Sequence, residues 1–154
     1  MQQETINIDN LDRKIIGYLM KNARTPFLEI ARECGISGAA IHQRVQKLED
    51  SGVLMGSKFV INEEAIGYKT KAYIGVFLER ANQFQNVKKE ISGIEEVVES
   101  HFTTGKYALL IKVYCKDNQH LKNVLLQIHE IKGVSSTETL ISIEQSVSRE
   151  IKIS

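Results

Sequence analysis

Hydrophobic residues in the first part of this chain recur every three or four positions, as they do along one face of an α-helix. Ile15, Ile16 and Leu19 form such a stripe. The pattern predicts a first helix over about Asp9–Ala23. We expect Asp9 to be its N-cap, because a carboxylate just before the stripe can accept the backbone N–H groups of the first turn.

The stretch Thr25–Asp50 predicts two short helices joined by a tight turn. Thr25 is a candidate N-cap, with Pro26 as the first helical residue. Gly35 stands where a helix ends in a left-handed residue, and Ser37 is a candidate N-cap for the second helix. The apolar face of that second helix consists of Ile41, Val45 and Leu48. This pattern is typical of a helix-turn-helix that binds DNA; the alternative is a helical hairpin whose polar side chains are merely solvated.

The segment after the third helix predicts a β-ribbon. Val53–Ile61, VLMGSKFVI, is rich in β-branched and aromatic residues and has Gly56 and Ser57 at its centre. Three helices followed by such a ribbon make a winged helix-turn-helix. We therefore predict an N-terminal domain over residues 1–61, with residues 62–67 as a hinge.

The remaining residues, 68–154, predict an α+β domain. The predicted elements are, in order, a strand over Lys71–Glu79, a helix over Phe84–Ile91, strands over Glu95–Thr103 and Tyr107–Tyr114, a helix capped by Asp117 and stopped by Gly133, and an extended segment over Val134–Ile153. This βαββαβ order is that of a ferredoxin-like domain. Its sheet has one face without helices, and a second copy of the domain is the simplest cover, so we expect a homodimer.

Composition indicates a globular protein without a catalytic or metal site. The chain is 42% hydrophobic and has no apolar run of transmembrane length, and its first ten residues lack the apolar core of a secretory signal, so we expect a cytoplasmic protein with no membrane partner. Cys34 and Cys115 have no metal-type spacing and are expected to be small buried hydrophobes. The histidines show no ligand spacing either. With no phosphate loop and no nucleophile–base pattern, we expect no enzyme and no cofactor.

Positive charge is concentrated in the helical part. The whole chain carries +1, whereas Arg13–Lys58 holds eight Lys and Arg residues against four Asp and Glu, a net charge of +4. Such a distribution favours double-stranded DNA as the partner of this half.

Side chains on and near the second helix of the helix-turn-helix are the candidate DNA contacts. Its first turns reach deepest into the major groove, so His42, Gln43 and Arg44 are predicted to contact base edges. Arg44 has a structural ion pair as its alternative role. Lys47 and Lys58 are predicted phosphate contacts. The full predicted set is Ser37, Gly38, His42, Gln43, Arg44, Lys47 and Lys58, the first two because a helix N-terminus attracts a phosphate.

Taken together, these segments resemble the Lrp/AsnC family of feast/famine transcription regulators. The matching pieces are LDRKIIGYLMKNAR, GIS, RVQKLEDSGVL, AIGYKTKAYI, TTGKY and GVSSTETLISIE, in that order. The resemblance implies a DNA-binding domain joined to an effector-binding ferredoxin-like domain of the RAM/ACT type. It also implies dimers that assemble into octamers, with a pocket for a small amino acid between dimers.

By this resemblance the pocket is formed by one turn and by two residues near the end of the chain. The implied residues are Thr104, Gly105, Lys106, Tyr107, Ala108, Thr137 and Thr139. Family members commonly carry acidic residues in this turn, where the present chain has Lys106 and Ala108. Without those carboxylates an α-ammonium lacks its obvious partner, and Lys106 favours an anion. The ligand is therefore an amino acid, an acidic or keto-acid-like molecule, or absent, in which case the turn is an ordinary hairpin.

The sequence thus predicts a sequence-specific transcription regulator whose assembly and operator binding respond to a small metabolite. One alternative is an architectural DNA-binding protein that needs no ligand. Another is an enzyme like the sirohaem decarboxylases, which share this architecture and bind a carboxylated tetrapyrrole. The second half has only Arg80 and Arg149 as arginines, too few for such a substrate.

Overall fold

The computed structural model describes residues 6–153, which form two compact units. One unit comprises the residues up to Val60 together with those from Val147 onward, and the other is Ile61–Ser146. The tail from Val147 thus belongs with the helical unit by its contacts, although the sequence pattern assigns it to the second domain.

The first unit contains three helices, α1 (Asn10–Lys21), α2 (Phe27–Cys34) and α3 (Gly38–Asp50). The predicted cap of α1 is confirmed. The Asp9 carboxylate accepts a hydrogen bond from the Asp12 N–H at 2.7 Å, and the Asp12 carboxylate accepts one from the Asp9 N–H at 3.2 Å. This reciprocal capping box satisfies two N–H groups that have no partner within the helix.

The turn between α2 and α3 also follows its local sequence. Gly35 has φ 68°, the left-handed conformation that ends a helix, and the Ser37 hydroxyl accepts the Ala40 N–H at 3.1 Å. The prediction for Thr25 is wrong. Its hydroxyl donates to the carbonyl of Asn22 at 2.8 Å, and Pro26 occupies the cap position without a side-chain bond.

The helix-turn-helix is held together by a small apolar core. Ile15 of α1, Ile30 of α2 and Ile41 of α3 are each 0% exposed and lie in one cluster with Ala31 and Val45. This arrangement turns the polar side of α3 outward.

The predicted β-ribbon over Val53–Ile61 is not formed. The backbone N–H groups of Val53 and Leu54 still bond to the carbonyl of Leu48, and the segment that follows has no strand. Its apolar side chains are exposed, with Met55 at 93% and Val60 at 91%. A two-stranded ribbon is only marginally stable without an apolar surface to cover it, and these side chains lie on none. The described helix-turn-helix therefore has no wing.

The second unit has the predicted βαββαβ order. Its elements are β1 (Thr70–Leu78), a 3₁₀ turn (Ala81–Gln83), α4 (Phe84–Ser92), β2 (Val97–Phe102), β3 (Leu109–Cys115), α5 (Asn118–His129) and β4 (Val134–Ile141). The strands form one sheet in the order β2-β3-β1-β4, and every neighbouring pair is antiparallel. This is the ferredoxin-like arrangement.

The two faces of the sheet differ in what covers them. Ala72, Ile74 and Val76 of β1 are 0% exposed and share a core with side chains of α4 and α5. The alternate residues point the other way, where this unit has no helix. Among them are Tyr73, Leu110, Tyr114 and Leu140, a set we call the open face.

Strand β4 ends twelve residues before the predicted end of the extended segment at Ile153. Its last register partner is Ala72, opposite Ile141, and the Ser142 N–H still bonds to the Lys71 carbonyl at 2.8 Å. Strand β4 runs antiparallel to β1, and β1 begins at Thr70, so the residues that follow Ser142 have no β1 residues opposite them. The alternation of apolar residues continues beyond that point without forming a strand, and Ile143 is 96% exposed.

Candidate DNA-binding and effector-binding sites

The outer face of α3 is an open polar surface. A shallow groove lies there, opposite the buried apolar residues of the same helix. It is lined by His42, Gln43, Gln46, Lys47 and Asp50. Amide, imidazole and ammonium groups can meet base edges and phosphates. Gln46 was not among the contacts predicted from the sequence, although its position three residues after Gln43 places it on the same face of the helix.

His42 is held at the start of this surface by an aromatic contact. Its ring meets the ring of Phe27 edge to face, with the centroids 4.5 Å apart. This contact orients the imidazole while leaving the residue exposed.

Arg44 is half-buried and forms ion pairs with residues at the start of α1 instead. Its Nη1 donates to Oδ2 of Asp9 and to Oδ1 of Asp12, each at 2.7 Å. The bond to Asp9 and then the bond to Asp12 raise the pKa of Arg44. The Asp12 backbone N–H and then the Arg44 guanidinium lower the pKa of Asp9. The structure thus supports the ion-pair alternative for Arg44, which joins α3 to the start of α1.

The other predicted DNA contacts lie at two places. Ser37 caps α3, and next to it Gly38 allows a close approach of α2, since a Cβ there would lie 3.2 Å from Leu28 Cδ2. Lys58 is exposed in the segment after α3. Its neighbour Phe59 has the guanidinium of Arg24 4.5 Å above its ring.

In the second unit, two hydrogen bonds close the turn between β2 and β3, and a third joins it to β1. The Thr103 N–H donates to the Ala108 carbonyl at 3.3 Å, and the Thr103 hydroxyl donates to the Tyr107 carbonyl at 2.6 Å. The Ala108 N–H donates to the carbonyl of Val76 on β1 at 3.0 Å. The turn is thereby attached to the central strand.

Tyr107 lies flat against Gly75 of β1. A Cβ at Gly75 would come within 2.2 Å of the ring, so only glycine leaves room for it. The Tyr107 hydroxyl donates to Oε1 of Glu138 at 2.7 Å, and Phe77 meets the ring edge to face. Glu138 is also the register partner of Gly75, so it emerges on the same face of the sheet.

Lys106 is paired with the same carboxylate. Its Nζ lies 2.7 Å from Oε2 of Glu138 and 4.9 Å from the centroid of the Tyr107 ring. The hydrogen bond from Lys106 is the largest cause that lowers the pKa of Glu138, and its counterpart raises the pKa of Lys106. The turn lacks acids of its own, yet β4 supplies one. Glu138 was not among the predicted residues, although it lies between the two predicted threonines, Thr137 and Thr139.

Those two threonines lie on the other face of the sheet. Thr137 pairs with Val76 and Thr139 with Ile74, and both β1 partners face the helices. The Thr137 hydroxyl is 2.7 Å from Nε2 of His129. The structure therefore does not bring these threonines to the Lys106 side of the turn, because neighbouring residues of a strand point to opposite faces.

A cavity of about 480 Å³ opens beside the turn. Gly105, Lys106, Tyr107 and Ala108 of the predicted set line it, and Thr104 does not. The rest of its wall is mostly apolar and consists of Phe77, Leu78, Ala81, Phe84, Phe102 and Thr103. The site thus combines an apolar wall with the ammonium of Lys106, whose partner Glu138 is not one of the lining residues.

Within residues 6–153, no group of three or more His, Cys, Asp and Glu side chains is placed to hold a metal ion. Cys115 is buried, and burial raises the pKa of its thiol to about 11, while Cys34 is half-buried. No helix of the described chain is both long and apolar enough to cross a membrane.

Both units match known family models. Residues 8–49 match the AsnC-type helix-turn-helix domain, and residues 71–151 match the Lrp/AsnC ligand binding domain. The regulatory protein AsnC of Haemophilus influenzae is 42% identical over 147 residues, which are 95% of this chain and 98% of that protein. AsnC of Escherichia coli K12 is 37% identical over 150 residues, which are 97% of this chain and 99% of that protein.

Solved structures agree with these matches. The structure of Escherichia coli AsnC has a TM-score of 0.93 at 37% identity and covers 96% of this chain and 99% of that one. A feast or famine regulatory protein of Mycobacterium tuberculosis, complexed with L-methionine, has a TM-score of 0.89 at 26% identity and covers 96% and 100%.

The role of Arg44 can be measured by replacing it with Ala. Loss of the bond to the buried Asp12 carboxylate is expected to lower the free energy of unfolding by about 1 kcal/mol in urea denaturation at pH 7. The lowered pKa of Asp9 adds a pH dependence. Its contribution is present above the ordinary value of 3.8 and is lost as the pH falls through the lowered folded-state pKa.

Arg32→Ala is the matched control, since it removes the same charge from an exposed position of α2 and is expected to leave stability unchanged. If Arg44→Ala and Arg32→Ala were equally stable, the bonds from Arg44 to α1 would be irrelevant to folding.

The contact between Tyr107 and Gly75 predicts opposite effects at two glycines. Gly75→Ala forces the ring off the strand and is expected to lower the free energy of unfolding by about 1–3 kcal/mol. Gly17→Ala places its Cβ in open space inside α1 and is expected to raise it by up to about 1 kcal/mol. Urea denaturation measures both, and a Gly75→Ala chain as stable as the original would show that the ring lies elsewhere in solution.

Proposed function

The chain belongs to the Lrp/AsnC family of transcription regulators, and from that premise we propose how its parts divide the work. Residues 1–61 bind double-stranded DNA through α3, and residues 62–67 are a hinge. Residues 68–154 bind a small effector and hold copies of the chain together. The single observation that carries the DNA function is the exposed face of α3, which presents His42, Gln43 and Lys47 to solvent.

Within the DNA complex, each side chain has a role set by its chemistry. The Gln43 amide can donate and accept at once, as adenine requires in the major groove, and His42 and Gln46 flank it. Lys47 and Lys58 neutralise phosphates. The backbone N–H groups at the N-terminus of α3, at Ser37 and Gly38, bind one further phosphate. Arg44 acts indirectly, by holding α3 against α1.

Titrations with DNA separate base contacts from phosphate contacts. The wild-type chain first selects an operator from random duplexes. Gln43→Ala is expected to reduce the preference for that operator over non-specific DNA by about 1–3 kcal/mol. Lys47→Ala is expected to weaken the binding of operator and of non-specific DNA alike, and to reduce the slope of log affinity against log salt concentration by about 1. Lys122→Ala, an equal charge change at an exposed site of α5, serves as control. An unchanged preference in Gln43→Ala would remove Gln43 from the base contacts.

For the second unit we propose a small amino acid, or a related acid, as effector. The ligand-binding family match over residues 71–151 and the cavity beside Lys106 support this assignment. A relative crystallised with L-methionine supports the chemical class. The effector changes the assembly of the chain and hence which spacing of operator half-sites is occupied.

The assembly begins with a homodimer through the open face. Tyr73, Leu110, Tyr114 and Leu140 are apolar or aromatic and carry no helix of their own unit, so a second copy gains apolar burial there. Dimers then associate into octamers, as the family resemblance implies. Several recognition helices in one assembly bind together, which compensates for a modest charge per chain.

Sedimentation velocity tests this arrangement. Leu140→Glu buries a charge in the proposed interface and is expected to shift the chain to monomers and weaken operator binding by more than tenfold, roughly. Leu126→Glu is the matched control, because Leu126 on α5 has the same 52% exposure as Leu140. A Leu140→Glu chain that assembles like the control would place the interface elsewhere. The same experiment with the common L-amino acids identifies the effector by a change in assembly.

Two alternatives are separated by these measurements. If no amino or keto acid alters assembly or operator affinity, the chain is an architectural DNA-binding protein. An enzyme related to sirohaem decarboxylases would instead show tetrapyrrole absorption and no DNA binding. The named relatives are regulatory proteins. We infer that this chain, like a transcription regulator, is no enzyme, needs no cofactor and acts in the cytoplasm.

A further inference from the structure

Two side chains in the groove on α3 are bonded to each other. Nε2 of Gln46 donates a hydrogen bond to Oδ1 of Asp50 at 2.9 Å, and both residues are exposed and line the groove. They are four positions apart, a spacing at which a Gln and an Asp on one side of a helix bond favourably. Within residues 6–153, no Lys, Arg or His side chain forms an ion pair with the Asp50 carboxylate. Its bond is therefore to the Gln46 amide.

This bond fixes the polarity of the Gln46 amide. An ionised carboxylate only accepts hydrogen bonds, so Asp50 can face the NH₂ group of the amide and not its oxygen. Oε1 of Gln46 therefore points away from Asp50. A glutamine without such a neighbour can exchange the positions of its oxygen and nitrogen by rotating the amide through half a turn, and Asp50 opposes that rotation.

An amide of fixed polarity has a restricted choice of base. The only hydrogen-bond donors on base edges in the major groove are the amino groups at N6 of adenine and N4 of cytosine. Guanine and thymine present acceptors there, which meet an amide oxygen unfavourably. The second N–H of the Gln46 amide can also serve N7 of adenine. An amide held with its oxygen outward thus favours a base that carries an amino group.

The constraint becomes stronger when DNA covers the groove. In the free chain both side chains are in water, and a helix pair of this kind contributes little to stability. In the complex that water is displaced. Rotating the amide would then place Oε1 against the Asp50 carboxylate, with no water between the two acceptors, and would leave both of them without a donor.

We propose that Asp50 is a positioning residue that makes Gln46 read an amino-bearing base, adenine or cytosine, at one position of the operator. This inference rests on the DNA-binding function proposed above. Asp50 needs no contact with DNA for this role. Its negative charge opposes the binding of every sequence alike, whereas its bond to Gln46 acts at a single base pair.

Titrations with operators changed at one base pair at a time test the proposal. Gln46→Ala first identifies the position that Gln46 reads. At that position Asp50→Ala is expected to reduce discrimination by about threefold to tenfold, since the amide can then rotate, and to leave the position read by Gln43 unchanged. Asp50→Glu keeps an acceptor near Gln46 and is expected to keep the preference. Glu49→Gln is the matched control, because it removes the same charge from an exposed neighbour that does not line the groove.

Base analogues test which atom of the amide meets the base. Purine in place of adenine, or 2-pyrimidinone in place of cytosine, removes only the amino group. At the position read by Gln46, this replacement is expected to weaken wild-type binding by about threefold to tenfold more than it weakens the binding of Gln46→Ala. Equal weakening of the two chains would show that Oε1 does not accept from that amino group, and would overturn the proposal.

The other outcomes separate the role of Asp50 from the function on which it rests. The proposal is overturned if Asp50→Ala keeps full discrimination at the Gln46 position, or if it loses discrimination equally at all positions, which would indicate a general structural role. It is also overturned if Gln46→Ala changes no position. In each of these cases an operator preference of the wild-type chain leaves the DNA-binding function standing. A wild-type chain that prefers no duplex over random DNA would contradict the sequence-specific function itself.

Discussion

Strand β1 organises the second unit because it is hydrogen-bonded on both sides, to β3 and to β4, and because its side chains alternate between two faces. Ala72, Ile74 and Val76 enter the helix-covered core, where each is fully buried. Gly75, between two of them, must then face the other way. Its missing side chain leaves the room that the Tyr107 ring occupies. The alternation of β1 side chains between the two faces of the sheet thus determines both the core and the position of Tyr107 in the turn between β2 and β3.

The first unit depends on a comparable division between the two sides of a helix. Ile41 and Val45 attach α3 to the core, and Arg44 adds a polar attachment by bonding to both carboxylates of the α1 capping box. The cap of α1 and the orientation of α3 are therefore one hydrogen-bonded network. With Arg44 used in this way, the base contacts that we propose are assigned to His42, Gln43 and Gln46 on the exposed face of α3.

The two proposed activities of the second unit share one side of its sheet. Tyr107 and Glu138 belong to the face that also carries Tyr73 and Leu140, on which the proposed dimer rests. A ligand in the cavity lined by Lys106 and Tyr107 would therefore act beside the surface that a second copy would cover. Such proximity would link the proposed effector binding to the proposed assembly through contacts a few residues apart, without a long-range pathway.

Of the features that depend on neighbours within four residues, the caps at Asp9 and Ser37 and the left-handed Gly35 were predicted correctly from the sequence, whereas the predicted cap at Thr25 is wrong. The βαββαβ order followed from the period of the apolar residues in each segment. The exposed face of α3 follows from helical periodicity in the same way. Features that join distant residues could not be predicted in this way. Arg44 meets Asp9 across 35 positions and Lys106 meets Glu138 across 32. The register of β4 turned Thr137 and Thr139 to the helices, and the missing partner strand ended β4 at Ile141. Local patterns specify conformation, whereas the partner of a charge, the face of a strand and the existence of the ribbon over Val53–Ile61 depend on what the folded chain brings alongside.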